Sequence, residues 1–339
     1  MIRTRIDSAW RTDPNTADGF SGMPDCKAIP VTSQDVDDST IMGPAGSVCS
    51  SVNELLIYYK TLMDSTKSTT DPASPSQSSN TSAIIPGADQ IFASHAIIFS
   101  TPTEEATYGL GLLRSRLPGK LGIMSDNSDL VAMPVVGKGT PPQVIFNHAG
   151  TLSGFYSSVY LLPESETIVL VLVNSKPMCD SADWIGQVVL QGFLDGPEPV
   201  DFIELVKKSM ASQALGYDKA RSALDCDRKS GTEHKQLQNY YGRYTWAAPS
   251  YYLDIGPGDG PDGMQLQFMG RSDQIYSLQH YQDDTFTWLM TDEEEMKRGR
   301  FIQGIETYKL NFTSDDGEKI HGICWSDVGG MKAVFTKKI

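Results

Sequence analysis

Cysteine is scarce and unpatterned in this sequence of 339 residues. The five, Cys26, Cys49, Cys179, Cys226 and Cys324, are an odd number at scattered spacings with no Cys-x-x-Cys pair. That argues against a disulfide scaffold and a zinc site, and reads as free thiols in cores and loops. Histidine is equally sparse: His95, His148, His234, His280 and His321 form no His-x-x-x-His or Glu-x-x-His pair, so no metal is implied. No glycine-rich phosphate loop follows a strand, and no run approaches the roughly 18 apolar residues that span a bilayer. Positive charge is also short, with 28 Lys and Arg against 42 Asp and Glu. The net charge of -14 and pI near 4.7 repel polyphosphate, which argues against a nucleic-acid partner and leaves small neutral or cationic ligands open. Met1-Ile2-Arg3-Thr4-Arg5 runs into polar residues without an apolar core, so no secretory signal is read. As written the chain is expected to be cytoplasmic, and secreted only if its true start lies upstream. On that reading the glycosylation sequons at Asn80 and Asn311 are chance.

What the chain does have is enough length for two domains and an ordinary 40% hydrophobic content. Residues 1–40 are rich in Asp, Pro, Thr and Gly without apolar periodicity and read as extended loop. Gly43-Pro44-Ala45-Gly46 leads into Ser51-x-x-Glu54, a capping box, and Val52, Leu55, Leu56, Tyr59 and Leu62 predict a helix of about three turns. Residues 64–82, dominated by Ser, Thr, Asp and Pro, predict a mobile loop. Tyr108-Gly109-Leu110-Gly111-Leu112 reads as a strand, and Val144–His148, Tyr156–Leu162 and Thr167–Val173 as three more in one antiparallel sheet. Ser181 is the expected cap of a helix carrying Trp184, Ile185, Val188, Val189 and Phe193, stopped by Gly196-Pro197. A second helix is expected over 202–224.

From Tyr240 the pattern changes to about eight short alternating runs with Gly and Asp between them: a small closed antiparallel barrel whose Tyr and Trp residues suit packing before they suit a ligand pocket. The expected division is 1–200, an incomplete α/β (α+β) layer of antiparallel sheet and flanking helices; 201–239, a helical connector; and 240–339, an all-β barrel.

The chemistry concentrates in Asn147-His148-Ala149-Gly150-Thr151-Leu152-Ser153-Gly154, which precedes two strands and a closing helix. With Gly43-Pro44-Ala45-Gly46-Ser47 and Tyr108-Gly109-Leu110-Gly111-Leu112, it resembles the C-terminal part of the serine β-lactamase and penicillin-binding-protein-like family, in its class C and esterase branch. In that family a sheet-edge strand carries Lys-Thr-Gly or His-x-Gly, and His148-Ala149-Gly150 matches the second form. The resemblance implies that Asn147, Ala149 and Gly150 lie along the substrate, that the Thr151 amide donates to an oxyanion, and that His148 supplies a donor or charge beside the substrate or general base. His148 alone also fits a residue that merely satisfies a strand end. Tyr241-Gly242-Arg243-Tyr244 partly matches the opening of the lipocalin-like barrel appended to some members.

The family's nucleophile motif, Ser-x-x-Lys, and its Tyr-x-Asn motif are absent, and no Gly-x-Ser-x-Gly occurs. Ser125-Asp126-Asn127 spells a related triplet in a polar loop too close to His148, and Ser153 reads as turn chemistry. Relatives place two strands and the Ser-x-x-Lys helix before the position of Met1; without them the sheet is expected to have about three strands, an open edge and a route to self-association. Two functions follow. One is a serine hydrolase or acyltransferase acting on a small ester, amide or lactam, without cofactor, truncated or inactive as written. The other is a non-catalytic small-molecule binding or protein-interaction module derived from that fold.

Overall fold

The computed structural model describes all residues except 1, 26, 32–35, 41, 71–84, 102–103, 248–250, 300–302, 316–318, 327–331 and 339, and describes no side chains at 67–70. The chain divides into two compact units, Met1–Ala214 with Met296–Arg300, and Leu215–Glu295 with Phe301–Ile339.

In the first unit the strands are β1 (Gly19–Gly22), β2 (Ala28–Val31), β3 (Ala96–Ser100), β4 (Glu105–Tyr108), β5 (Leu113–Leu117), β6 (Gly119–Lys120), β7 (Val135–Val136), β8 (Gln143–Leu152), β9 (Phe155–Leu162), β10 (Thr167–Val173) and β11 (Ser175–Lys176). The helices are α1 (Gly43–Gly46), α2 (Val52–Thr70), α3 (Ala88–Phe92), α4 (Asn127–Leu130), α5 (Ser181–Leu194) and α6 (Phe202–Ala214). Six strands form the main antiparallel sheet in the order β10-β9-β8-β5-β4-β3, twice the expected number. The added strands are β3, β4 and β5, and the glycine segment itself is no strand: Gly109–Leu112 is the turn between β4 and β5, with Gly109 N donating to Leu112 O at 2.8 Å. Two glycines in five residues give a turn before they give a strand.

One face of the sheet packs against α2 and α3 through Met63, Leu112, Phe146, Val159 and Leu161. The other packs against α5 and α6 through Ile145, Tyr160, Val169, Trp184, Leu190 and Phe202. Fully burying such side chains contributes about 1.5–3 kcal/mol each, so both layers hold the sheet.

Several elements differ from expectation. The first forty residues are not only loop, because β1 pairs antiparallel with β2 and parallel with β11. The β11 partner lies about 155 residues away, so local periodicity carries no trace of it. The second helix runs 19 residues, to Thr70, so the loop expected from Asp64 begins later; residues 71–82 of it lie outside the described residues. Ser51 Oγ accepts from Glu54 N at 3.4 Å, but the Glu54 carboxylate turns to the N-terminal segment, taking Arg3 N at 2.8 Å and Thr4 Oγ1 at 2.5 Å. Those donors hold its carboxyl down, at about 2. The cap of α5 is Asp180, not Ser181. The helix expected over 202–224 is two, α6 and α7 (Gly216–Asp227), broken at Leu215.

In the second unit β12 (Gly242–Thr245), β13 (Tyr252–Pro257), β14 (Met264–Phe268), β15 (Ile275–Gln282), β16 (Thr285–Thr287), β17 (Lys309–Asp315), β18 (Lys319–Ser326) and β19 (Lys332–Lys337) close into a barrel. Its interior is filled by Tyr240, Tyr244, Leu266, Tyr276, Leu278, Phe286, Trp288, Leu310, Trp325 and Phe335. The aromatic residues are therefore packing. Asn311 donates to Cys324 O across two strands at 3.2 Å.

Candidate functional site

The expected site residues fall on the last half of β8. Strand β5 accompanies β8 only from Gln143 to Asn147, where Leu113 is the final partner. Beyond it, His148 to Leu152 pair with β9 alone. The β8–β9 hairpin closes at Leu152↔Phe155 across Ser153–Gly154. Gly154 has φ +80, and a Cβ there would meet Val31 at 2.6 Å and the Gly19 backbone at 2.8 Å, so only glycine fits both the turn and the approach of β1 and β2. Antiparallel ladders alternate between hydrogen-bonded and non-bonded pairs. Counted from the closing pair, the backbone groups of Ala149 and Thr151 point away from β9, to the side β5 has left. No backbone bond from a turn or loop reaches either among the described residues.

His148 is half-buried, and its Nε2 lies 3.0 Å from the Tyr108 hydroxyl at the end of β4. Burial pushes its pKa below 6.5, with a contact to the Ala149 backbone opposing. The imidazole is thus biased to the neutral form, suited to donating or accepting a hydrogen bond rather than to holding a positive charge. Gly150 lies on the same face of the strand. A Cβ there would come within 2.4 Å of Ser157 Oγ, so the glycine leaves a gap over that hydroxyl. Thr151 is exposed and Ala149 half-buried. Asn147 is placed otherwise: it is 5% exposed, paired with Leu113 and Tyr160, and its Nδ2 is buried without a partner. Its amide is turned into the protein rather than toward the open edge.

Ser125-Asp126-Asn127 is not an exposed polar loop. Ser125 Oγ and Asn127 Nδ2 donate to Asp183 at 3.0 and 2.9 Å, and Asn127 also bonds the Asp180 backbone in both directions. Asp183, fully buried, further takes Tyr160 OH at 2.5 Å and Gln187 Nε2 at 3.0 Å. Asp180 beside it has its carboxyl pushed up to about 8 by burial first and by Asp183 second. Asp126 receives Tyr156 OH at 2.7 Å and lies 3.7 Å from buried Lys176 Nζ. The triplet fastens α4 to the start of α5; its hydroxyl and amide are spent on structure.

Two features escaped sequence reasoning. Tyr108 was read as the start of a strand and is the partner of His148; no local signal joins residues 40 apart. The stretch Met296–Arg300 groups with the first unit, and Gly299, at φ +66, places its Cβ position 3.0 Å from Ser153 Cβ. A cleft lined by Lys60, Met63, Asp64, Pro163, Glu166 and Ile168 lies at the β9–β10 turn, the opposite end of β9 from the Ser153–Gly154 turn. It contains none of the expected site residues. Among the described residues no group of three His, Cys, Asp or Glu is placed to hold a metal, and no helix is long and apolar enough to cross a membrane.

Two family models match this chain, over separate stretches. The model of a domain of unknown function, DUF3471, matches residues 227–337. No curated protein matches. Among solved structures, the octameric penicillin-binding protein homologue from Pyrococcus abyssi is similar over 99% of this chain and 57% of its own, at 14% identity and a TM-score of 0.37. SurE is similar over 95% of this chain and 55% of its own, at 12% identity and a TM-score of 0.32. The chain thus spans little more than half the length of either. The β-lactamase family model matches residues 2–190, more than half of the sequence and the whole of the sheet that carries His148, and the protein belongs to the serine β-lactamase and penicillin-binding-protein-like family.

Proposed function

We propose that the open side of β8 from His148 to Thr151 binds the acyl portion of a small ester, amide or lactam, and that these 339 residues by themselves form no acyl-enzyme. The observation that carries this reading is the pair of outward backbone positions, Ala149 and Thr151, on a strand whose neighbour has ended. Backbone amides fixed at a strand edge receive a carbonyl oxygen without reorganising, and a single such donor changes acyl-transfer rates by about 100- to 1000-fold in enzymes that have a nucleophile. His148, biased to the neutral form by burial and held by Tyr108, lies on the same stretch of the strand. On this reading the strand supplies the binding wall of an acyl-transfer site, and the sequence has no serine followed three residues on by an activating lysine.

The test is direct. The protein is incubated with a fluorophosphonate and a penicillin probe and weighed intact, and binding of a small ester, amide and lactam is measured by calorimetry. No mass adduct is expected, and binding weakens by about tenfold or more in Gly150→Ala, whose methyl fills the gap over Ser157. An adduct on any serine, Ser157 foremost, refutes the non-covalent reading; absence of binding by all three ligand classes refutes the site. A second reading, a serine hydrolase or acyltransferase whose Ser-x-x-Lys lies on polypeptide preceding Met1, is favoured by the match to the β-lactamase family in a sequence that itself holds no Ser-x-x-Lys. Stop codons immediately upstream in the transcript would remove it.

A further inference from the structure

We propose a positioning role for Asp126 that rests on the acyl-binding reading of β8: its carboxylate holds the Tyr156 hydroxyl and through it fixes the stretch on which the Ala149 and Thr151 backbone groups stand. That stretch has little of its own to hold it. Beyond Asn147 the strand is accompanied by β9 alone, and a two-stranded ribbon is marginal in water without something packed behind it. The place of the edge is therefore inherited from β9. Tyr156 lies directly across from Thr151 and Ser158 directly across from Ala149, in the pairs that the ladder leaves without backbone bonds and brings closest together. Both side chains are buried, and both reach away from the edge to the joint between α4 and α5. Ser158 Oγ donates to Ala182 O at 2.7 Å, and Tyr156 OH donates to Asp126 Oδ2 at 2.7 Å.

Asp126 stands immediately before α4, where an aspartate ordinarily caps its own helix, yet its side chain makes no capping bond among the described residues. The carboxylate turns to Tyr156 instead. Its neighbours in the chain are pinned, because Ser125 Oγ and Asn127 Nδ2 donate to buried Asp183 and Asn127 bonds the Asp180 backbone in both directions. Lys176 Nζ, 3.7 Å from Asp126 Oδ2 and 5.7 Å from the centre of the Tyr156 ring, keeps a positive charge beside the pair. Burial first, and Asp126 second, push the Tyr156 pKa up, so the phenol keeps its proton and remains the donor. The triplet Ser125-Asp126-Asn127 thus acts from behind the strand, through Tyr156, and touches no ligand.

Placement matters because backbone donors serve only from the right position: in enzymes a misplacement of about 1 Å lowers rates by about 100-fold. The fold itself does not depend on the bond. Without it β8 is still paired with β9, and the Gly154 turn is still packed on Gly19 and Val31. Removing the bond is therefore expected to move the edge and leave the sheet folded.

The experiment is nitrogen–proton NMR on the full chain, with calorimetric titration of benzylpenicillin. In Asp126→Ala and in Tyr156→Phe the Ala149 and Thr151 amide signals are expected to shift while the barrel signals stay, and penicillin affinity is expected to fall by about tenfold. Asp126→Asn keeps an oxygen that accepts the hydroxyl, and is expected to restore both the signals and the affinity. The Asp126 side chain is 34% exposed, so Asp126→Ala leaves the core filled and serves where Tyr156→Phe fails to fold. Three results overturn the proposal: Ala149 and Thr151 signals unmoved in Asp126→Ala, signals displaced as far in Asp126→Asn as in Asp126→Ala, or displaced signals with unchanged affinity. A wild type that binds no penicillin counts against the acyl-binding reading alone, and the amide signals of the two Asp126 variants then decide whether the carboxylate places the edge.

Discussion

In the barrel every strand has a neighbour on both sides, β12 closing on β19 through Tyr244↔Lys337 and Thr245↔Thr336. The six-stranded sheet of the first unit instead ends on β10 and β3. The interiors differ in the same sense. The barrel is filled by apolar and aromatic side chains, with Tyr276, Phe268 and Trp288 meeting edge to face at 4.9 to 5.4 Å. Among the described residues the first unit buries a polar network around Asp183 and keeps unpartnered buried atoms at Ser115, Asn147, Asp180, Ser181, Trp184, Gln187 and Ser209, where the barrel core keeps one at Trp288 Nε1. Closure spends every backbone group of a strand internally, so the barrel has little left with which to bind anything along its sides. An open sheet retains edges, and the candidate site is an edge.

The comparison can be broken or sharpened by substitution. The largest effect is expected for Phe286→Ala in the barrel, fully buried among Tyr240, His280 and Phe312: a loss of about 3–5 kcal/mol by chemical denaturation. A loss below about 1 kcal/mol would mean the barrel interior is loosely packed. In the first unit, Asp183→Asn sets an NH₂ group among the donors Ser125, Asn127, Tyr160 and Gln187, and is expected to cost about 2–4 kcal/mol in the same measurement. Neutrality there would show that the network contributes no more than an apolar core.

Asp180 gives a pH signature the barrel core lacks. Its carboxyl, ordinarily near 3.8, is raised to about 8 in the folded protein, so between those values the native state holds a proton that the unfolded chain has released. Stability from this group is complete below about pH 4 and is lost as pH rises through about 8. Asp180→Asn keeps the acceptor for Asp183 N and is expected to flatten the decline; equal slopes for both proteins between pH 5 and 8 would rule this out. The smallest effect is expected from Tyr108→Phe. With the hydroxyl as donor to the ring, its removal raises the imidazole pKa slightly while burial still holds it below 6.5, read from the ring-proton shifts by NMR, with little change in unfolding free energy. A downward shift would mean that the histidine is the donor.

Much of both units is legible in the residues, and the reason differs by element. The barrel strands alternate with period two and carry turn residues between them, so eight runs were visible as eight strands. Strands β9 and β10 are dense in Tyr, Val, Ile and Leu and stood out alone. The elements that were missed have partners far along the chain: β1 against β11, Tyr108 against His148, Glu54 against Arg3 and Thr4. Ser125-Asp126-Asn127 read as polar loop because its partners, Asp180 and Asp183, belong to a helix more than fifty residues on.

By itself the sequence determined the family, through a histidine and two small residues set before a turn and two apolar strands, and it determined the barrel, through periodicity. Both are local patterns, written in neighbouring residues. Only the tertiary structure decided that β5 accompanies β8 no further than Asn147 and leaves Ala149 and Thr151 unaccompanied, and that the Asn147 amide turns inward. Those facts depend on where strands distant in sequence begin and end, because the pairing of a strand edge is a property of two segments and is written in neither.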